Sequence, residues 1–326
     1  MEIGDIQAYL QPQMQEVEAL IEASLRSDVG LLDATNRRIR EHPGKMIRPA
    51  LSLLAAGAAG KPCEDSLRYA AAVELLHNAT LLHDDVVDAA AERRGLPTVF
   101  QCLGGGPAVL LGDFWLVKCI RLVLSAPGVT LSVIDCFAQT LQHLAEGELL
   151  QMEKASSGDT TQEDYLRIVY GKTASLFELS ARVAALSVQA PDEWVQALSA
   201  FARHLGLAFQ IKDDIFDYGE PADGLGKPVG IDLKEQKITQ PLLCALAGAG
   251  PAEESRIRRL VADAAAHPEH VDEIRSFVRR QGGVEAAVEK MEEELRAAAD
   301  CLRILPDSQE KACLTALVRY TCDRKR

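Results

Sequence analysis

Several features that would place a protein at once are missing from this sequence. Only 5% of its 326 residues are aromatic, and no run approaches the ~18 consecutive apolar residues of a membrane span. Met1 to Leu10 carries two acids and no basic segment, so no secretory leader is expected and the chain is expected in the cytoplasm. The eight cysteines, Cys63, Cys102, Cys119, Cys136, Cys244, Cys301, Cys313 and Cys322, form no Cys-x-x-Cys pair and read as free thiols of a reducing compartment. Basic residues are in deficit, with 35 Lys+Arg against 48 Asp+Glu, a net charge of −13 and a pI near 5.1, which argues against nucleic acid as a partner. There is no Gly-x-Ser-x-Gly elbow and no His-Glu-x-x-His zinc helix. Tyr170-Gly171-Lys172-Thr173 ends like a phosphate-binding loop, but Leu166 stands where that loop needs glycine. Gly104-Gly105-Gly106 has Val109 where a dinucleotide fingerprint needs its third glycine.

What is present is helical periodicity. Apolar residues recur at three- and four-residue spacing over 6–25, 68–88, 108–125, 129–153, 164–187, 193–217 and 284–303, with Ala and Leu on the faces that would pack. Strand signals are nearly absent. The breaks, such as Gly60-Lys61-Pro62, Ala126-Pro127-Gly128 and Gly219 to Gly230, read as loops within one bundle. The expectation is an all-α helical bundle with residues 1–326 as a single domain.

The chemistry lies in an aspartate pattern that occurs twice, Asp84-Asp85-Val86-Val87-Asp88 and Asp213-Asp214-Ile215-Phe216-Asp217. At the aspartate frequency of this chain, chance gives about 0.1 copies of the pattern, so two are not coincidence. The i, i+4 spacing stacks Asp84 over Asp88, and Asp213 over Asp217, on one helix face. Like charges so placed cost a helix about 0.2–0.5 kcal/mol, and both sets sit late in their helices, where the dipole disfavours acids. A divalent cation relieves both penalties. Mg²⁺ fits because it takes hard oxygen ligands and is commonly held by one or two carboxylates plus substrate phosphates. Two facing carboxylate pairs would then cage a diphosphate. Basic residues stand nearby in the sequence: Gly44-Lys45-Met46-Ile47-Arg48-Pro49 is read as opening a helix with Lys45 and Arg48 pointing together, and Arg93-Arg94-Gly95 follows Asp88. Arginine forks phosphate bidentately and lysine supplies a point charge.

These motifs in combination resemble the trans-polyprenyl diphosphate synthases, of the long-chain type to which bacterial octaprenyl and heptaprenyl diphosphate synthases belong. The match runs from about Lys45 to Leu242 and includes Lys172-Thr173, Gln210 and the Gly226-Lys227-Pro228 loop. The resemblance implies an all-α fold around a central cavity, a homodimer, Mg²⁺, and head-to-tail joining of an allylic diphosphate to isopentenyl diphosphate, with transient membrane contact for product release. It places Lys45, Arg48, His77 and Arg94 at the isopentenyl diphosphate site. It makes Asp84, Asp88 and Asp213 metal ligands with Asp214 and Asp217 beside them, and it puts Arg93, Lys172, Thr173, Gln210, Lys227 and Lys237 on the allylic diphosphate. Asp84, Asp88, Asp213 and Lys172 are the implied catalytic set. Gln236 departs from the family, which more often has glycine before the lysine matched to Lys237.

Three other readings are weaker. A metal phosphohydrolase built on His83-Asp84 lacks further histidines at complementary spacing, a non-catalytic partner subunit should have lost aspartates, and a terpene cyclase carries a different second metal motif. Within the family, bulky aromatics four or five residues before the first motif close the product tunnel of short-chain farnesyl or geranylgeranyl synthases. Here those positions hold Thr80 and Ala79, on a face read as running from Asp84 back through Thr80, Ala79 and Leu76. A long-chain product, such as a quinone side chain, is therefore expected, with a tunnel floor sought around Phe137 and Leu141.

Overall fold

Runs of Ala and Leu at helix spacing fold into helices, and the computed structural model, which describes residues 3–42, 44–219 and 229–324, bears out the all-α expectation. Among the described residues the extended pieces are two-residue strands, β1 (Glu92–Arg93) and β2 (Leu96–Pro97). Lys227 lies outside the described residues. The chain divides into two compact units, each made of three stretches: Met1–Ala138, Leu176–Ser199 and Leu302–Ala316 form the first, and Gln139–Ser175, Ala200–Cys301 and Leu317–Arg326 the second.

The first unit holds α1 (Ile3–Leu25), α2 (Gly30–Arg40), α3 (Ile47–Ala59), α4 (Glu64–Val87), α5 (Val99–Leu103) and α6 (Gly105–Leu124). Helix α3 is Ala- and Leu-rich and buries nine of its 13 residues, so neighbours approach it from most sides. Helix α4 starts where the Cys63 amide donates to Ser66 Oγ at 3.1 Å, with Glu64 and Asp65 favourably placed in its first turn. It ends because Ala89 takes a left-handed φ of 48°, one residue past Asp88.

One stripe of α4 faces α6. The buried Cys119 of α6 meets the Leu76 backbone, and His83 Nε2 is 3.3 Å from both the Val109 carbonyl and Asp113 Oδ1. At ~100° per residue Leu76 and Ala79 lie within ~40° of the His83 direction, whereas Thr80 lies within ~40° of Asp84. The expected single face through Thr80, Ala79 and Leu76 is therefore corrected. Ala79, 1% exposed, belongs to the packed stripe, and Thr80 alone accompanies Asp84, its hydroxyl donating to the His77 carbonyl at 2.8 Å.

Strands β1 and β2 pair antiparallel around Arg94-Gly95, with Arg93 opposite Leu96. Both turn residues have positive φ, 54° and 79°, the signature of a tight type I′ hairpin. The glycine of the Arg-Arg-Gly motif is thus a turn requirement that fixes where its two arginines point.

The second unit contains the later part of α7 (Leu131–Ser157), α8 (Gln162–Val169), the C-terminal half of α10 (Asp192–Asp217), and α11 (Ile231–Lys234), α12 (Gln240–Ala247), α13 (Pro251–Asp263), α14 (Glu269–Arg280) and α15 (Gly283–Cys301). The stretch 164–187, expected as one helix, is interrupted. Helix α8 is capped by Thr161 and Asp164 and gives way to a π-helical turn, Tyr170–Ala174, before α9 (Ser175–Ser187). The wider turn exists because two glycines press together. A Cβ on Gly171 would sit 2.6 Å from the His143 carbonyl and 2.9 Å from Gly147 Cα, so backbone meets backbone there. Helix α16 (Gln309–Asp323) follows a short 3₁₀ turn.

Candidate active site

In the first unit the structure gathers a cationic cluster. Arg48 Nη1 lies 3.1 Å from His77 Nε2, and its guanidinium lies 5.0 Å from the centre of the Phe177 ring. Burial raises the Glu74 carboxyl above its ordinary range, opposed by Arg48, by a hydrogen bond from Asn78 and by Arg94. Burial holds the His77 imidazole well below its usual pKa, reinforced by Arg48, Arg94 and Arg93. His77 is therefore neutral at pH 7. Lys45 does not share a helix face with Arg48 as the sequence suggested: α3 begins at Ile47, and Met46 has a left-handed φ of 50°, which turns the chain between them.

Asp84 and Asp88 occupy the last turn of α4, joined by the Asp88 amide donating to the Asp84 carbonyl at 2.8 Å. Asp84 is half-buried and Asp88 exposed. Asp85 points inward instead, where Arg93 Nε donates to its Oδ1 at 2.6 Å; burial raises its pKa while Arg93 opposes the shift. Arg93 is thus engaged with the motif's middle aspartate.

In the second unit, a cavity is lined by Lys172, Thr173, Gln210 and Lys237, four of the residues expected at the allylic diphosphate, and by Asp214 of the second aspartate motif. Thr173 donates to Gln210 Oε1 at 2.8 Å, and Gln210 Nε2 donates to Asp214 Oδ1 at 3.0 Å. Tyr165 donates to Asp214 Oδ2 at 2.6 Å, where the Gln240 amide also reaches at 3.4 Å. Burial pushes Asp214 up to about 7 despite these donors. Asp217 accepts from the amides of Ile231 at 2.9 Å and Asp232 at 3.1 Å. Both carboxylate oxygens of Asp214 and of Asp217 are therefore used to hold the end of α10 to its neighbours. Asp213 is half-buried and pairs with Arg324 at 2.8 Å.

Lys172 is held by Glu148 at 2.5 Å, and Lys237 by Glu235 at 2.5 Å. Gln236 has φ of 60°, so the place where the family prefers glycine is a left-handed one. Sequence reasoning missed Lys154, Tyr165 and Asp232, which line the same cavity, as well as Glu148 and Arg324. Lys154 lies 3.1 Å from Asp164. Burial, with Asp214 and Asp217 nearby, pushes Asp232 up to about 8. No local motif marks these residues; folding alone brings them together.

The first unit offers hard oxygen donors at the end of α4; the second offers them at the end of α10, with lysine and hydroxyl donors around its cavity. That chemistry agrees with comparisons to known proteins. The polyprenyl synthetase family model matches residues 30–278. Octaprenyl diphosphate synthase of Haemophilus influenzae is 36% identical over 324 residues, covering 99% of this chain and 98% of that protein. A crystal structure of a decaprenyl diphosphate synthase from Rhodobacter capsulatus superposes with a TM-score of 0.92 at 33% identity, covering 99% of both chains. A polyprenyl synthase from Caulobacter crescentus, crystallised with calcium and isoprenyl diphosphate, gives a TM-score of 0.89 at 31% identity, covering 98% of this chain and 97% of that one.

Proposed function

We propose, because the chain belongs to the polyprenyl synthetase family and is therefore a prenyltransferase, that it joins isopentenyl diphosphate head to tail to an allylic diphosphate and builds a long-chain all-trans polyprenyl diphosphate. The observation that carries the reading is the similarity over almost the whole chain to an octaprenyl diphosphate synthase. The family match spans stretches of both units, which supports treating the chain as one catalytic domain.

Asp84, Asp88 and Asp213 have the donor chemistry to hold Mg²⁺, which when bound supplies positive charge against the diphosphate released as the allylic C–O bond breaks. The calcium and isoprenyl diphosphate in the Caulobacter protein support a cation with this fold. Asp214 and Asp217, with both oxygens occupied, orient the end of α10. Lys172, Lys237 and Lys154 bind the allylic diphosphate, and Thr173 and Gln210 orient it. Glu148 keeps Lys172 extended toward the cavity wall until phosphate oxygens replace it. Lys45, Arg48 and Arg94 bind the isopentenyl diphosphate. His77, neutral, adds a hydrogen bond there without adding charge. Thr80 leaves the Asp84 side of α4 open to a growing tail.

The homodimer has a physical basis in α6. Leu110, Val117 and Leu124 recur every seven residues and are 70%, 52% and 53% exposed, and Leu131 beyond them is 85% exposed. Such a stripe is costly to leave in water, and a second copy would cover it. Val117→Glu should shift sedimentation from dimer to monomer; a wild type that sediments as a monomer refutes the proposal. No described helix is long and apolar enough to cross a membrane.

The deciding experiment incubates the protein with farnesyl diphosphate, labelled isopentenyl diphosphate and Mg²⁺ and measures product length. Products longer than geranylgeranyl diphosphate are expected. Products that stop at or below that length overturn the long-chain reading, and an absence of labelled product overturns the reaction itself.

A further inference from the structure

We infer that the turn joining α13 to α14 is a binding site for a transition-metal ion of the Zn²⁺ class, formed by His267, Glu269 and His270. Their ligand atoms all lie within 4.8 Å of one another. His267 Nδ1 is 3.1 Å from Glu269 Oε1, and the two imidazole rings lie 5.1 Å apart, 30° from parallel. At zinc bond lengths of ~2.0–2.1 Å, tetrahedral neighbours sit ~3.3 Å apart. The His267–Glu269 pair is already near that spacing, and side-chain rotation at Glu269 and His270 closes the remainder. His270 supplies a second, independent sign: its Nδ1 is buried and has no hydrogen-bond partner among the described residues. A ring nitrogen withdrawn from water normally has one.

The backbone keeps the three residues together. The His267 amide donates to the Asp263 carbonyl at 2.9 Å and the His270 amide to the His267 carbonyl at 3.0 Å, which sets the histidines one helical turn apart on one side. Pro268, between them, restricts the turn further. The donor set selects the ion: two imidazole nitrogens and one carboxylate suit Zn²⁺, Ni²⁺ or Cu²⁺, whereas Mg²⁺ takes oxygen ligands. The site thus differs in chemistry from the aspartate motifs. Its position gives it something to brace. Val271, the next residue, packs where a Cβ on Gly230 would lie 2.5 Å from its Cγ1, and the Gly230 amide donates to the Asp217 carbonyl at 3.0 Å.

The test is calorimetric titration of the full chain with Zn²⁺ in saturating Mg²⁺, comparing wild type with His267→Ala/His270→Ala and with Glu269→Gln. Cysteine-bound zinc is common to all three and cancels in the comparison. The double variant should bind one Zn²⁺ fewer per chain, and Glu269→Gln should weaken that event by about tenfold or more. Wild type, and not the double variant, should unfold at a higher temperature when Zn²⁺ is added. Equal stoichiometry and affinity in wild type and double variant overturn the inference, as does displacement of the wild-type event by raising Mg²⁺. Circular dichroism establishes that the variants are folded, and if the double variant is not, the conservative Glu269→Gln decides: unchanged affinity overturns the site.

Discussion

Removing a single oxygen from Tyr165 tests whether the second aspartate motif depends on buried hydrogen bonds. Tyr165→Phe keeps the ring and opens almost no cavity, but it deletes the 2.6 Å bond to Asp214, whose side chain is fully buried. Burial and Asp214 hold the Tyr165 phenol well above its ordinary pKa, so it stays protonated and donates. The variant leaves Asp214 with Gln210 at 3.0 Å and the Gln240 amide at 3.4 Å, the latter too long to compensate. A hydrogen bond to a charged group contributes about 1.5–3 kcal/mol, so a loss near 2 kcal/mol is expected, roughly 30-fold in the folding equilibrium. Urea unfolding in chelator measures it without competing ions. The pH dependence gives the finer check. The folded-state pKa of Asp214 is raised from 3.8 to about 7, so the folded chain keeps a proton that the unfolded chain has released, and its contribution to stability falls as pH rises through that window. Without the Tyr165 donor the folded pKa rises further, and the gap between wild type and variant should widen from pH 6 to pH 8. A gap below about 0.5 kcal/mol at pH 8, or one that does not change across that range, would refute the reasoning.

The other expectations concern the reaction. Asp84→Ala or Asp213→Ala should lower the condensation rate by ~10²–10³ or more while leaving the circular dichroism spectrum unchanged, since neither side chain packs in the apolar core and Asp213→Ala removes one ion pair, to Arg324; rates within about tenfold of wild type would sink the metal assignment. Arg48→Ala should raise KM for isopentenyl diphosphate far more than KM for the allylic substrate, and the opposite pattern would show that the two diphosphates were assigned the wrong way round. For product length, Thr80→Tyr should shorten the chain by several isoprene units. Ala79→Tyr, on the stripe packed against α6, should instead lose about 1–3 kcal/mol of stability with little change in length. A chromatogram of products from the soluble fraction of each variant separates the two positions.

Much of this was legible in the sequence because it depends on local spacing. Helices such as α7 and α10 bury one apolar face, so their periodicity survives folding, while α4 is buried on all sides over 69–76 and is marked by its nearly continuous small and apolar run. The aspartate pairs are visible because a helix fixes the direction of residues four apart. What the sequence concealed depends on backbone exceptions and distant partners. Met46, with its positive φ, separates Lys45 from the helix that carries Arg48. The π turn at Tyr170–Ala174 adds width without spoiling the apolar pattern, so 164–187 reads as one helix. Tyr165 meets Asp214 across 49 residues, and no spacing rule reaches that far. Gln236 stood out as a departure from its family for a reason only the backbone gives, a left-handed φ held by a side chain that donates to the Ala262 carbonyl.

The division into interleaved stretches bears on how the chain is made. The first unit begins with residues 1–138 and receives its last piece at 302–316. Within it the Tyr9 hydroxyl donates to Glu310, a partner 301 residues away. At ~5–20 residues per second, roughly 15–60 s of synthesis separate the end of α1 from the arrival of Glu310. For that interval the nascent first unit lacks its closing segment, and the loops to be closed are as long as the chain allows, which slows folding and extends the exposure of apolar surface. Chaperone dependence during expression follows from this. A chain cut before residue 302 loses an integral part of the first unit and should be recovered as aggregate, not as a shortened enzyme.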